Sequence, residues 1–109
     1  MKEIKAYIAK HKLNDVTRAL HKIDGLSGMS VVERYGYGIG WAKAKESGLT
    51  DFHPGVKVEV ICQDDLVEKV ISAIEKAAHT GLKGDGKIYV STIEQAVRIS
   101  SGERGDGAV

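Results

Sequence analysis

The sequence predicts an α+β sandwich of the ferredoxin-like kind, in which an antiparallel four-stranded sheet is covered on one face by two helices. Three observations lead to this βαββαβ order. Strand-like segments alternate apolar and polar residues, two segments have helical apolar spacing, and each half of the chain runs strand, helix, strand. At 109 residues with 42% hydrophobic content, the chain is expected to form one domain, 1–109, with a modest core.

The first half carries a strand, a helix and a second strand. The segment KEIKAYIA (2–9) has the two-residue period of a half-buried strand. LNDVTRALHKI (13–23) changes to helical spacing, with Asn14 or Asp15 available as the N-cap. MSVVERYG (29–36) is rich in β-branched residues and predicts the second strand.

The second half repeats this order after a long loop. VKVEVIC (56–62) alternates through four apolar residues and predicts the third strand. DDLVEKVISAIEKAAH (64–79) opens with an acidic pair that suits a helix N-terminus and ends at Gly81. KIYVSTI (87–93) is the fourth strand, and QAVRI (95–99) is a candidate for a short fifth.

The sheet face away from the helices needs a cover. The predicted first and third strands place there a mixed set of side chains, Lys5, Tyr7, Lys57, Glu59 and Ile61. Such a set suits a subunit interface better than a bare solvent face, so we expect a homo-oligomer.

Composition argues against several classes of protein. Sixteen Lys and Arg against fifteen Asp and Glu give a formal charge of +1, without the basic patch of a nucleic-acid binder. The sequence contains neither a leader pattern nor an apolar run long enough for a membrane span, which predicts a cytoplasmic protein. The single cysteine, Cys62, is expected to be a small buried hydrophobe.

A basic glycine-rich turn, GLKGDGK (81–87), precedes the fourth strand. It satisfies part of a Walker A motif, but Ile88 stands where a Ser or Thr belongs, and the turn runs from helix to strand instead of strand to helix. A P-loop is therefore disfavoured. Successive glycines can still form an anion-binding nest of backbone N–H groups, to which Lys83 or Lys87 adds charge. The alternative is a helix C-cap followed by a plain surface turn.

Four segments together resemble the PII nitrogen-regulatory signalling proteins, in order and spacing over nearly the whole chain. They are KLNDVTRAL (12–20), GMSVVERYGYG (28–38), TGLKGDGKIYV (80–90) and AVRISSGERGDGAV (96–109). The resemblance implies a homotrimer that binds ATP or ADP in clefts between subunits and is a sensor and not an enzyme. It also implies a regulated enzyme, transporter or transcription regulator, in nitrogen or carbon metabolism.

The resemblance also assigns residues to the nucleotide. A B-loop at 80–87 would hold the phosphates, and a C-terminal loop at 100–109 would close over the ligand. Lys87 would supply the direct charge, Ile61 would flank the adenine, and Arg98 would reach the phosphates from the neighbouring subunit. The full set of implied nucleotide-binding residues is Ser30, Gly36, Gly38, Ile61, Gly84, Asp85, Gly86, Lys87 and Arg98.

Several positions depart from the family pattern. Ile39 and Gly40 stand where an arginine and a glutamine are usual, and Gly55 replaces a lysine that follows the loop proline. The glutamine usually completes the Mg–ATP and 2-oxoglutarate site and the lysine pairs with the same organic acid, so 2-oxoglutarate is not expected to bind by the usual route and Mg loses a partner. Ser100 replaces a second phosphate-binding arginine, which favours ADP or AMP over ATP.

The docking loop, at about residues 39–54, is shorter than usual in the family and contains no tyrosine, so uridylylation has no acceptor at the customary position. Trp41, with Lys43 and Lys45, is the candidate anchor for a protein target, because tryptophan is frequent at binding hot spots. The alternative is that Trp41 packs against the protein's own surface.

Two other functions remain open from the residues. His11, His21, His53 and His79 are scattered without the spacing of a metal site, but small trimeric relatives of this fold include metal-tolerance proteins, so a metal-responsive protein is one alternative. A weak nucleotide phosphohydrolase is the other. It would need a positioned base, and Asp85 is the only acid in the glycine turn.

Overall fold

The computed structural model of the protein describes residues 1–37 and 52–109. Its regular elements are β1 (Lys2–Ile8), α1 (Leu13–His21), β2 (Ser30–Gly36), β3 (His53–Cys62), α2 (Val67–Ala78) and β4 (Lys87–Thr92). The strands form one antiparallel sheet in the order β2-β3-β1-β4. Helix α1 connects β1 to β2 and α2 connects β3 to β4, so two split βαβ units interleave. The predicted α+β ferredoxin-like fold is confirmed.

The core lies between the sheet and the two helices. Every second residue of β1 and β3 is buried, as the two-residue periods predict, and the apolar stripes of α1 and α2 cover them. Burying one such aliphatic side chain stabilises the fold by about 1.5 to 3 kcal/mol. The buried residues are Ile4, Ala6, Ile8, Val16, Leu20, Val56, Val58, Val60, Cys62, Val70, Ile74 and Ala78.

Both helices begin differently from the prediction. A 3₁₀ turn, Lys10–Lys12, leads directly into α1, and no side chain caps the helix at Lys12. Asn14 and Asp15 therefore lie inside the first turn, and the prediction of an Asn or Asp N-cap is wrong. The Lys12 N–H donates instead to the Ala9 carbonyl at 3.0 Å, so the tighter turn provides the bond that a cap would have made. A second 3₁₀ turn, Asp64–Leu66, precedes α2 in the same way.

Two element ends also differ. Strand β3 begins at His53 and not at 56, because Gly36 and Tyr35 of β2 continue the ladder opposite His53 and Pro54. Helix α2 ends at Ala78, where the extended backbone of His79 stops it before Gly81 is reached.

The candidate fifth strand at 95–99 is not formed. Val97 makes only an isolated bridge with Arg104, because the C-terminal tail pairs with itself and not with the sheet. The Arg98 N–H donates to the Glu103 carbonyl at 2.8 Å, and the Gly105 N–H donates to the Ala96 carbonyl at 3.0 Å.

The sheet face away from the helices carries the mixed side chains that the sequence placed there. The Lys57 ammonium lies 3.6 Å from the Glu59 carboxylate, both half-buried. The rings of Tyr7 and Tyr89 meet edge to face with centroids 5.9 Å apart, and the Arg34 guanidinium lies 5.3 Å from the Tyr7 centroid. Among the described residues, none of the helices has the length and apolar character that crossing a bilayer requires.

Candidate functional site

The glycine turn between α2 and β4 is shaped by a close approach to the central strand. Gly84 and Gly86 have positive φ values of +92° and +101°. A β-carbon on Gly86 would overlap the carbonyl oxygen of Tyr7 and lie 2.7 Å from its carbonyl carbon. Gly86 is therefore required by packing as well as by conformation, which the sequence pattern alone does not reveal.

Asp85 connects the glycine turn to Thr80, the residue at which the turn begins. Thr80 donates its backbone N–H to Asp85 Oδ2 at 2.8 Å and its hydroxyl to Asp85 Oδ1, and His79 Nδ1 lies 3.4 Å from Oδ2. The hydrogen bonds from Thr80 lower the pKa of the Asp85 carboxyl. This carboxylate is thus engaged within the turn, which leaves the backbone of the turn and the Lys83 and Lys87 side chains as its groups for binding an anion.

Two cavities flank the turn. A cavity of about 360 Å³ is lined by Asp85, Gly86 and Lys87 together with Tyr7 and the C-terminal half of α2. A larger one of about 560 Å³ is lined by Lys83 and Gly84 and by the ends of β1, β2 and β3. The four predicted B-loop residues 84–87 are therefore brought together, but Gly84 lines the larger cavity and the other three line the smaller one.

Ser30 and Ile61 lie far from this turn within one chain. Ile61 is level with Glu3 of β1, whereas Lys87 is level with Tyr7, four residues further along the same strand. With two strand spacings between them, the Ile61 and Lys87 backbones are about 16 Å apart. A similar count from the pairing of Ser30 with Glu59 gives about 16 Å from Ser30 to Lys87. Within one protomer, Ser30 and Ile61 are therefore not in direct contact with Lys87.

Arg98 lies in the C-terminal tail, with its guanidinium held by the tail itself. Its Nη1 is 3.6 Å from Glu103 Oε1 and its Nη2 donates to the Gly107 carbonyl at 3.3 Å. The side chain of Gln63 donates to the Asp106 carbonyl at 2.7 Å and joins the tail to the end of β3. Arg98 is about half exposed, so an anion from outside the protomer can reach it.

The remaining predicted site residues have two outcomes. Gly36 ends β2, where it pairs with His53 beside the larger cavity. Gly38, and the docking residues Trp41, Lys43 and Lys45, lie outside the described residues.

Arg34 is the residue that sequence reasoning missed. It lies opposite Gly55 in the pairing of β2 with β3, and a β-carbon on Gly55 would come within 3.0 Å of Arg34 Cζ. The guanidinium therefore occupies the space that the missing side chain of residue 55 leaves. The signal that could have found Arg34 is the register of β2 with β3, which places this arginine opposite Gly55, the position where the family usually has a lysine.

Three of the four histidines line the two cavities, and His21 lies on α1 outside both. His11 and His53 line the larger cavity, and His79 lines the smaller. Within residues 1–37 and 52–109, no three His, Cys, Asp or Glu side chains are grouped so that they could hold a metal ion.

Comparison with known proteins identifies similar chains. A family model described as Nitrogen regulatory protein P-II matches residues 1–103. Proteins named nitrogen regulatory protein P-II are 47% identical over 113 residues in Bradyrhizobium diazoefficiens, 45% over 119 in Rhodospirillum rubrum and 44% over 119 in Azospirillum brasilense. Each of these matches covers the whole of both chains. The two alignments over 119 residues exceed the 109 residues of this chain, so these relatives carry positions that it lacks.

Proposed function

Because this chain belongs to the nitrogen regulatory protein P-II family of signal-transduction regulators, we propose that it is a homotrimeric sensor of adenine nucleotides. ADP or ATP binds between protomers, and AMP is a third candidate. The bound nucleotide sets the affinity for a target enzyme, transporter or transcription regulator in nitrogen or carbon metabolism. The protein acts in the cytoplasm, and its target is a protein and not a nucleic acid.

The observation that carries the proposal is the glycine turn packed against β1. Gly86 holds the turn against the Tyr7 backbone, and Asp85 fixes its other side to Thr80, so its amides are ordered before a ligand arrives. Ordered donors cost little conformational entropy on binding, and the exposed Lys87 ammonium adds a charge-assisted bond to a phosphate oxygen.

The separation of the implied binding residues supports a cleft between protomers. Ser30 and Ile61 are each about 16 Å from Lys87 by strand register within one chain, so one protomer supplies the turn and a second supplies residues that meet the base. Arg98 then approaches the phosphates from a neighbouring tail. Association also covers part of the open sheet face, where Ile61 is 37% and Tyr89 54% exposed.

Target binding is assigned to the loop at about 39–54, with Trp41, Lys43 and Lys45 as the contact residues. The nucleotide controls this loop through β2, which leads into it, and β3, which follows it, because the ends of both strands line the larger cavity. The absent polar partners at Gly40 and Gly55 make 2-oxoglutarate with Mg an unfavourable ligand by the family's usual route.

A hydrolytic role receives no support from the turn. Asp85 is the acid nearest the proposed phosphates, but the hydrogen bonds that lower its pKa also make its carboxylate a weaker base. We expect ATP turnover to stay far below about 1 per second, a rate ordinary for enzymes.

The test is calorimetry with ADP, ATP and AMP on the full-length protein and on the Lys87→Ala variant. In Lys87→Ala we expect the free energy of ADP binding to become at least about 1.5 kcal/mol less favourable, which is the value of a hydrogen bond to a charged group. Lys69→Ala is the matched control, since Lys69 is an exposed lysine of α2 outside both cavities. Unchanged affinity in Lys87→Ala removes Lys87 from the site, and a monomer in sedimentation equilibrium contradicts the inter-protomer cleft.

A further inference from the structure

The smaller of the two cavities beside the glycine turn, about 360 Å³ in volume, lies between the C-terminal half of α2 and the start of β4. This volume is near the lower end of the range of about 300 to 1,000 Å³ in which small molecules bind proteins. Three of its apolar lining side chains belong to the buried core, whereas Ile71 and Ile88 are only half-buried and offer apolar surface to a ligand. The apolar residues that line it are Ile8, Ile71, Ile74, Ala78 and Ile88.

Two carboxylates line the same cavity. Glu75 is exposed on α2 and makes no ion pair within the part of the chain that the structure describes. Asp85 accepts two hydrogen bonds from Thr80 and lies 3.4 Å from His79 Nδ1, with 26% of its side chain exposed. A carboxylate has about four acceptor positions, so Asp85 keeps capacity for a further donor. Glu75 is four residues before His79 on α2, which puts Glu75 on the helix face that meets the turn.

Lys87 is the lysine among the described lining residues, and its side chain is on the other face of the sheet. It lies opposite Tyr7 in the pairing of β4 with β1, and Tyr7 is flanked by the buried Ala6 and Ile8. Since alternate residues of a strand point to opposite faces, Tyr7 and Lys87 both face away from the helices. The helix side of the cavity therefore presents carboxylates and an imidazole beside an apolar wall.

This combination favours a ligand with a cationic head and an aliphatic body. The carboxylates repel an anion, and a neutral alkyl compound gains no charge-assisted bond from them. An ammonium group has about three donor positions, which Glu75, Asp85 and water can fill. Its alkyl chain then displaces water from Ile71 and Ile88.

We propose that this cavity binds a free primary alkylammonium ion with a short aliphatic chain. The ammonium lies between Glu75 and Asp85, and the chain lies along Ile71 and Ile88. The ligand is bound on the helix side of the glycine turn and does not depend on nucleotide binding through Lys87.

The experiment is a titration of the full-length, nucleotide-free, isotope-labelled protein with n-pentylammonium chloride, followed by NMR at constant pH and ionic strength. We expect saturable shifts of the Gly86 amide signal and of the Ile71 and Ile88 methyl signals. Ethylammonium lacks three of the methylenes and should bind at least about tenfold more weakly, because a fully buried methylene contributes roughly a factor of four, or about 0.8 kcal/mol. n-Pentanol and pentanoate share the chain but lack the cation. Each should also bind at least about tenfold more weakly, the effect of losing a hydrogen bond to a charged group.

Substitutions locate the ammonium group. Glu75→Gln should weaken n-pentylammonium binding about three- to fivefold at low salt and by less at high salt, as expected for an exposed ion pair. Glu68→Gln is the matched control, since Glu68 is an exposed glutamate in the first turn of α2 and lies outside the cavity. Lys87→Ala should weaken ADP binding but leave the affinity for the ammonium ion within about twofold, which is under about 0.5 kcal/mol.

Four results would each overturn the proposal. They are shifts that do not saturate, n-pentanol binding as tightly as n-pentylammonium, equal losses in Glu75→Gln and Glu68→Gln, and a larger loss in Lys87→Ala than in Glu75→Gln. The replaced glutamates are exposed, so neither variant is expected to misfold. If ADP fails to bind but the ammonium ion binds through Glu75, only the nucleotide proposal fails.

Discussion

Replacement of Gly86 by alanine should destabilise the protein far more than the same change at Gly81. Both glycines have positive φ, +101° and +82°, so each alanine pays about 1 to 2 kcal/mol of backbone strain. At Gly81 the new β-carbon meets no atom within 4 Å, whereas at Gly86 it overlaps the Tyr7 carbonyl.

The steric cost at Gly86 cannot be relieved on the strand side. Tyr7 pairs with Lys57 on one side and Lys87 on the other, so its backbone is fixed by the two ladders that β1 makes with β3 and β4. The turn must therefore move outward. Forcing extra volume into a packed region costs about 1 to 3 kcal/mol, which brings the Gly86→Ala total to about 2 to 5 kcal/mol against about 1 to 2 for Gly81→Ala.

Urea unfolding at a fixed protomer concentration measures this difference, because the stability of an oligomer depends on concentration. Calorimetry on the same samples should show ADP affinity reduced at least about tenfold in Gly86→Ala, since the displaced turn no longer presents its amides to the ligand. Equal unfolding free energies for the two variants would refute the argument that the contact with Tyr7 fixes the turn.

Three further outcomes are expected. Glu103→Gln should raise ADP affinity about two- to threefold at low salt and by less at high salt. The reason is that Glu103 competes with the ligand for Arg98 through an exposed ion pair, which is worth under about 1 kcal/mol. An unchanged calorimetric affinity would argue against that competition. The pKa of Asp85 is lowered in the folded protein, so its contribution to stability is complete above the ordinary carboxyl pKa and is lost as pH falls through the lower folded value. Urea midpoints should therefore decline on acidification more steeply in the native protein than in Asp85→Asn. Parallel curves for the two proteins would contradict the bonds from Thr80. Burial raises the pKa of the Cys62 thiol, so Ellman's reagent should react with it only as fast as the protein unfolds, and rapid labelling of the folded protein would contradict its place in the core.

The fold was largely predictable because the two-residue apolar period of the strands and the helical apolar spacing of the helices are unambiguous in the sequence. In β1 and β3 every second residue is apolar, and a slip of one residue would expose the whole set. The helix beginnings were less predictable. At α1 a short 3₁₀ turn replaced the side-chain cap that Asn14 or Asp15 suggested, because the bond from the Lys12 N–H to the Ala9 carbonyl serves the same purpose.

The C-terminal segment shows a different limit. QAVRI has strand-like alternation, but propensity does not say which partner a strand pairs with. Glycines at 102 and 105, both with positive φ, let the tail turn back on Val97, and the hairpin bonds are then satisfied locally. A segment that pairs with itself leaves the edge of β4 free of a fifth strand.

At the candidate site, sequence reasoning found the groups that are adjacent in the chain and missed those that meet across strands. Gly84 to Lys87 form one continuous turn, whose glycines and lysine are visible in the sequence, and the family resemblance assigns them to the phosphates. Arg34 and Gly55 are brought together only by the register of β2 with β3. Taken alone, Gly55 indicates the loss of the cation that a lysine would supply. Because Gly55 lies opposite Arg34, its missing β-carbon instead makes room for the Arg34 guanidinium. The positive charge beside the glycine turn is thus supplied from the neighbouring strand, and an argument from single positions reaches the wrong electrostatics for the cavity.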